Sequence, residues 1–144
     1  LSAYVLDASV ALSALRGGDP NHVRAAAYLA PVLQGSDSIV VPAIFEVELV
    51  ATLTRAGYAP ADARRAADLF VGAARIVTLG PRGARAAAST ASRTRLRAGD
   101  AIYVWIAERE ALPLVTLDAE ILARAPLAGV AAVAPHCNAP VEPR

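Results

Sequence analysis

AYVLDASVALSAL, residues 3–15, joins a short apolar run to a helical run through one aspartate, with no glycine or proline between them. That order reads as a buried strand turning straight into a helix, with Asp7 at the junction. The same pattern returns in LPLVTLDAEIL, residues 112–122, where Asp118 follows the apolar run 113–117. Two acids thus stand where a strand ends.

From these anchors the other elements follow by their punctuation. Gly17-Gly18 ends the first helix, predicted from about 9 to 15. Asp19-Pro20 opens a second, the aspartate as cap and the proline in the first turn, and Gly35-Ser36 closes it. Residues 38–41 read as a strand, and Pro42 opens a long apolar helix to about residue 55. A helix over 60–73 and a strand over 75–79 come next. Gly80-Pro81 leads into an alanine- and arginine-rich helix ending near 97, and Gly99 separates it from a helix over 100–111. The strand 113–117, a short helix over 118–125 and a weak strand over 130–133 precede an irregular tail from about 134.

Short apolar strands alternating with helices predict an α/β fold with a mostly parallel sheet covered on both faces. No linker divides the 144 residues, so a single domain is expected over 1–144. In such folds ligands bind beyond the carboxyl ends of the strands, which is where Asp7 and Asp118 fall.

Composition narrows the chemistry. Alanine supplies 35 residues, which predicts a core of closely approached helices rather than bulky side chains. All fourteen basic residues are arginine, so a Schiff-base lysine and a P-loop lysine are both excluded. A net charge of +1 gives little bulk attraction for nucleic acid. The single cysteine, Cys137, cannot close an internal disulfide, and a reducing, cytoplasmic setting is expected. No apolar stretch reaches the roughly 18 residues of a membrane span, and the N-terminal run lacks the basic flank of a signal peptide. With no methionine in the chain, Leu1 reads as a trimmed or alternative start.

Two more acids complete a set. Asp100 lies in RAGDAIYVWIA, residues 97–107, and Glu48 in VPAIFEVELVATL, residues 41–53. Taken singly, Asp7, Asp100 and Asp118 each read as ordinary helix caps. Glu48 does not: Ile44, Phe45, Val47, Leu49, Val50 and Leu53 cover most directions of its helix, which predicts burial, and a buried carboxylate needs a partner. Glu46 shares that helix but lies about 200° round the axis, so at most one of the two glutamates faces a common pocket. Gathered carboxylates repel by roughly 4 kcal/mol per close pair at an effective dielectric of 20. Protonation, arginines or a metal must offset that. An all-oxygen donor set favours Mg²⁺ or Mn²⁺ over zinc, and such an ion supports metal-assisted phosphodiester hydrolysis.

In order, spacing and context, D-x-S at Asp7, P-x-x-x-x-x-E at Glu48, D-A-I-Y-x-x-x-A from Asp100 and L-x-T-x-D ending at Asp118 resemble the PIN-domain ribonucleases. Within that family the closest resemblance is to the VapC toxins of bacterial toxin–antitoxin pairs, and it spans about residues 4–118. It implies a three-layer α/β/α sandwich, Mg²⁺- or Mn²⁺-dependent cleavage of RNA, and neutralisation by a cognate antitoxin. The matched register assigns Asp7, Glu48, Asp100 and Asp118 as the acidic cluster, prefers Glu48 to Glu46, and places Ser9 and Thr116 at supporting hydroxyl positions. Ala51 departs from the pattern, since many relatives carry asparagine there.

On this reading Asp7, Asp100 and Asp118 are the principal metal ligands, and Glu48 holds a second ion or orients the attacking water. Asp100, near a helix start, is expected to be kept ionised by the helix dipole. In RTRLR, residues 93–97, Arg93 and Arg97 share a helical face and could touch RNA phosphates, although a solvated helix end is the plainer account. Tyr103 and Trp105 read as core, and His22 and His136 as structural or surface residues. A mean hydropathy of +0.42 points to surface covered by a second copy or by an antitoxin. The competing reading is a catalytically degenerate PIN-like module that binds RNA or protein without cutting. A haloacid-dehalogenase-type phosphatase and a receiver domain both fail on the missing lysine, and the former also on Ser9 where a second aspartate belongs.

Overall fold

The computed structural model describes residues 2–136. Its elements run β1 (Ala3–Leu6), α1 (Ala8–Leu15), α2 (His22–Leu33), β2 (Ser38–Pro42), α3 (Ile44–Arg55), α4 (Pro60–Val71), β3 (Ala74–Val77), α5 (Pro81–Thr94), α6 (Ala98–Glu110), β4 (Leu114–Val115), α7 (Ala119–Arg124) and β5 (Ala132–Val133). A short 3₁₀ turn over Ala125–Ala128 links α7 to the last strand.

All five strands lie in one parallel sheet in the order β3-β2-β1-β4-β5. The chain builds outward from β1 to β2 and β3, then crosses back to lay β4 on the other side of β1. With right-handed crossovers that reversal sends α5 and α6 to the opposite face from α1, α3 and α4. Accordingly α1 packs on α2 and α3, and α3 on α4, while α5 and α6 pack on each other, with α6 lying across β1, β2 and β4. The expected α/β sandwich is the fold observed. β1 is enclosed by this arrangement, and Val5 and Leu6 are fully buried.

Alanines such as Ala11, Ala25, Ala63 and Ala67 are fully buried, but the core is also built of bulky side chains, Phe45, Phe70, Leu49 and Leu53 among them. A Cβ on Gly83 in α5 would stand 2.9 Å from the Trp105 ring of α6, so the indole packs directly against α5 backbone. Trp105 and Tyr103 are both buried.

Several sequence boundaries need correction. The second helix starts at His22, because Asp19 accepts hydrogen bonds from Ser13 Oγ (2.7 Å) and the Asn21 amide (2.8 Å), which holds Asp19-Pro20 in the preceding turn. Pro42 ends β2 rather than opening α3. The alanine–arginine helix stops at Thr94, with Arg95 in the left-handed region (φ 57°), and Gly99 lies inside the first turn of α6. Arg93 and Arg97 therefore do not share a helix face. Helix α3 is not buried all round either: Phe45, Leu49 and Leu53 form its inner face, while Val47 is 63 % exposed. Of the tail, Cys137 and all that follows lie outside the described residues.

Candidate active site

Reversal of strand order between β1 and β4 opens a crevice at the carboxyl edge of the sheet, the position where ligands bind in parallel α/β folds. Asp7 follows β1 and Asp118 stands just beyond β4. Glu48 comes from the second turn of α3 and Asp100 from the first turn of α6. Four segments far apart in sequence bring their carboxylates to one edge.

Asp7 occupies the N-cap position of α1, yet its side chain makes no capping hydrogen bond. Instead its Oδ2 accepts from Ser9 Oγ at 2.5 Å and from Thr116 Oγ1 at 2.8 Å. Each hydroxyl in turn accepts a backbone amide of the β4–α7 connection: Leu117 N donates to Ser9 Oγ (3.1 Å) and Asp118 N to Thr116 Oγ1 (3.0 Å). The donors of both hydroxyls are thereby aimed at Asp7. Helix capping, the plain account of an aspartate in this position, does not describe it. Asp118 differs, since its Oδ1 caps α7 through Glu120 N (2.8 Å) and Ile121 N (3.0 Å), which fixes its rotamer at the cleft edge.

Proton affinities record the crowding. Asp7, 4 % exposed, is raised above the ordinary aspartate range by burial, with Asp118 adding to the shift while Ser9 and Thr116 oppose it. Burial pushes Glu48 up to about 7, with Asp7 and Asp100 contributing, against a lowering by Tyr103. Asp100 rises to about 6, first through burial and then through Asp118, Asp7 and Glu120. The helix dipole expected to keep Asp100 ionised is outweighed by this company, and Arg97 offsets it only in part.

Glu46 is exposed and lines a separate groove beside Val47, Val50, Ala51 and Arg64, so Glu48 is the glutamate that faces the cluster. Arg93 is engaged away from the cleft, pairing through both guanidinium nitrogens with Glu108 (2.9 and 3.0 Å). Arg97 occupies the N-cap position of α6, near Asp100, and makes no side-chain capping bond. His22 Nδ1 lies 3.1 Å from the Ser13 carbonyl, and His136 stacks edge-on against Tyr28, both structural contacts.

Two members escaped the sequence reading. The Tyr103 hydroxyl donates to Glu48 Oε1 at 3.1 Å, and Glu120 adds charge beside Asp100. The signal for Tyr103 was its spacing, one helical turn after Asp100 on the same face. An apolar neighbourhood hid it.

A PIN domain family model matches residues 4–126. The chain belongs to the PIN domain family. Solved structures with similar folds include PAE2754 from Pyrobaculum aerophilum (22 % identity, TM-score 0.66, covering 92 % of this chain and 84 % of that one). VapBC2 from Rickettsia felis bound to a promoter DNA fragment gives 14 % identity and a TM-score of 0.68, over 92 % of this chain and 98 % of that one. FitAcB from Neisseria gonorrhoeae gives 22 % and 0.65, over 92 % and 97 %. No curated protein matches the chain in sequence.

The donor set of this PIN domain is all oxygen, over-rich in negative charge and short of cations, which fits a hard divalent ion. Among the described residues no three acidic, histidine or cysteine side chains close on one point as a finished ligand shell. An ion that keeps several of its waters suits so open a set.

Proposed function

We propose that this PIN domain is a divalent-metal-dependent endoribonuclease and the toxin of a VapC-type toxin–antitoxin pair. One observation carries the reading: Asp7 stands at a helix start, leaves the helix uncapped, and is held by Ser9 and Thr116 among three other carboxylates. Burial in this set raises the proton affinities of Asp7, Glu48 and Asp100, which serves stability poorly and cation binding well.

Asp7, Asp100 and Asp118 would hold Mg²⁺ or Mn²⁺, with Glu48 at the edge of the set. When bound, such an ion supplies positive charge to a phosphodiester's oxygens and acidifies water beside it. The chain does the rest. Ser9 and Thr116 fix Asp7, while the α7 cap fixes Asp118. Glu48, with its affinity near 7, is poised to take a proton from the attacking water at neutral pH. Arg97 at the cleft margin is placed to meet an RNA phosphate, and Arg93, tied to Glu108, serves RNA only by leaving that pair.

Partners follow from the surface. Val23, Leu33, Val47, Leu69 and Leu127 are each more than half exposed, which is apolar area for a cognate antitoxin or a second copy to cover. VapBC2 and FitAcB share the fold at low identity, and this supports the antitoxin reading. No helix among the described residues is long and apolar enough to cross a membrane.

The test is cleavage of mixed RNA by purified protein with Mg²⁺, Mn²⁺ or EDTA, alongside Asp7→Asn and Asp100→Asn. The expected result is metal-dependent cutting that falls at least about 100-fold in both variants. RNA bound but left intact with every metal would instead establish the binding module without catalysis.

A further inference from the structure

Tyr103 is a core residue by every packing measure, 1 % exposed and carried on the inner face of α6. Its hydroxyl nevertheless reaches the acidic cluster. It donates to Glu48 Oε1 at 3.1 Å, and the Ala8 backbone amide, directly after Asp7, faces the Tyr103 hydroxyl oxygen. One buried atom thus stands between α6, the start of α1 and the glutamate of α3. Burial, Glu48 and Asp7 all push the Tyr103 proton affinity upward, so the phenol stays protonated and remains a donor.

Glu48 has no other protein hydrogen-bond partner among the described residues. A glutamate with three rotatable bonds and one anchor is defined by that anchor. With Oε1 occupied, Oε2 is the oxygen left for the cleft.

We propose that Tyr103 is a positioning residue for Glu48, locking its carboxylate so that a single, defined oxygen faces the cation and the water to be activated. This rests on the nuclease reading of the cleft. Phenylalanine would fill the same core space without a polar atom to satisfy, and unlike the buried Tyr4 hydroxyl, which has no partner among the described residues, that of Tyr103 meets a carboxylate of the cluster. Groups that orient metal-site ligands from behind are worth 10- to 100-fold in affinity or activity.

The experiment is a double-mutant cycle with Tyr103→Phe and Glu48→Gln, reading two quantities: Mn²⁺ affinity by calorimetry without RNA, and RNA cleavage. Both are measured at about pH 8.5, above the value near 7 at which Glu48 ionises, so that orientation rather than charge is read. Phenylalanine keeps the ring, and thermal melts verify that each variant folds. Expected is an about tenfold loss of Mn²⁺ affinity and a fall in kcat with KM for RNA unchanged in Tyr103→Phe. In the Glu48→Gln background the same change should cost less than twofold. Equal losses in both backgrounds would mean a merely structural tyrosine, and no loss in either readout would also overturn the proposal. If the unmutated protein neither bound Mn²⁺ nor cut RNA, the nuclease reading itself would fall, and the positioning role with it.

Discussion

Asp7 shows how a single side chain can be held at the expense of the fold around it. Its carboxylate is buried beside Asp118, and two hydroxyl donors only partly compensate. Asparagine has nearly the same shape and can still accept from Ser9 and Thr116 through its carbonyl oxygen. Asp7→Asn is therefore expected to raise the melting temperature of the metal-free protein at pH 8 while abolishing cleavage. Differential scanning calorimetry in EDTA checks this, and a lower melting temperature would mean that the carboxylate is better satisfied than its surroundings imply. At this scale the sequence was informative. Asp7, Asp100 and Asp118 stand out by position, while Glu48 rather than Glu46, and Ser9 and Thr116, come only from the register of the family resemblance. Tyr103 has only its spacing from Asp100 to mark it, and a tyrosine inside an apolar helix does not announce which carboxylate, here 55 positions earlier in the chain, its hydroxyl meets.

Among the elements, α6 teaches most. Glycine in a sequence reads as punctuation, which sets Gly99 between helices. The chain instead turns at Arg95 (φ 57°) and ends α6 at Ala111 (φ 53°), two left-handed positions filled by residues with a Cβ. The start of α6 lies at Ala98, two residues before the predicted one, and Asp100 keeps its place in the first turn with Tyr103 one turn on. Ala111 is exposed and its left-handed conformation costs roughly 1–2 kcal/mol, part of which glycine gives back through greater freedom when unfolded. Ala111→Gly is expected to stabilise the protein by about 0.5–1 kcal/mol, read as a higher urea midpoint at unchanged slope. Helix α3 was misread for another reason. Periodicity counts apolar residues without knowing how many neighbours will arrive, and α4 and α1 leave the Val47 side of it uncovered.

For the molecule as a whole, the alternation of strands and helices was legible and the strand order was not. Nothing local in the chain says that β4 returns to the far side of β1, yet that reversal makes the crevice. The crevice also imposes a pH dependence on the entire fold. Glu48 and Asp100 titrate near 7 and 6 when folded, against 4.5 and 3.8 as reference values. Between about pH 4 and 7 the folded protein thus holds protons that the unfolded chain has released, and stability must fall as pH rises through that window. The contribution is complete below the unfolded values and gone above about 7. Urea unfolding in EDTA should give a lower midpoint at pH 8 than at pH 5, and added Mn²⁺ should narrow the gap by restoring stability at the higher pH.

Seen from the ribosome, the clamp on Asp7 also acts as a clock. Asp7 and Ser9 are made early, but Thr116 and the amides of Leu117 and Asp118 that direct the two hydroxyls emerge more than a hundred residues later. Until β4 settles beside β1, the first aspartate has lost half its donors and Asp118 has no place to stand. On the nuclease reading proposed above, a cell making this PIN domain is spared an active fragment: the acidic cluster is complete only when most of the chain has been made.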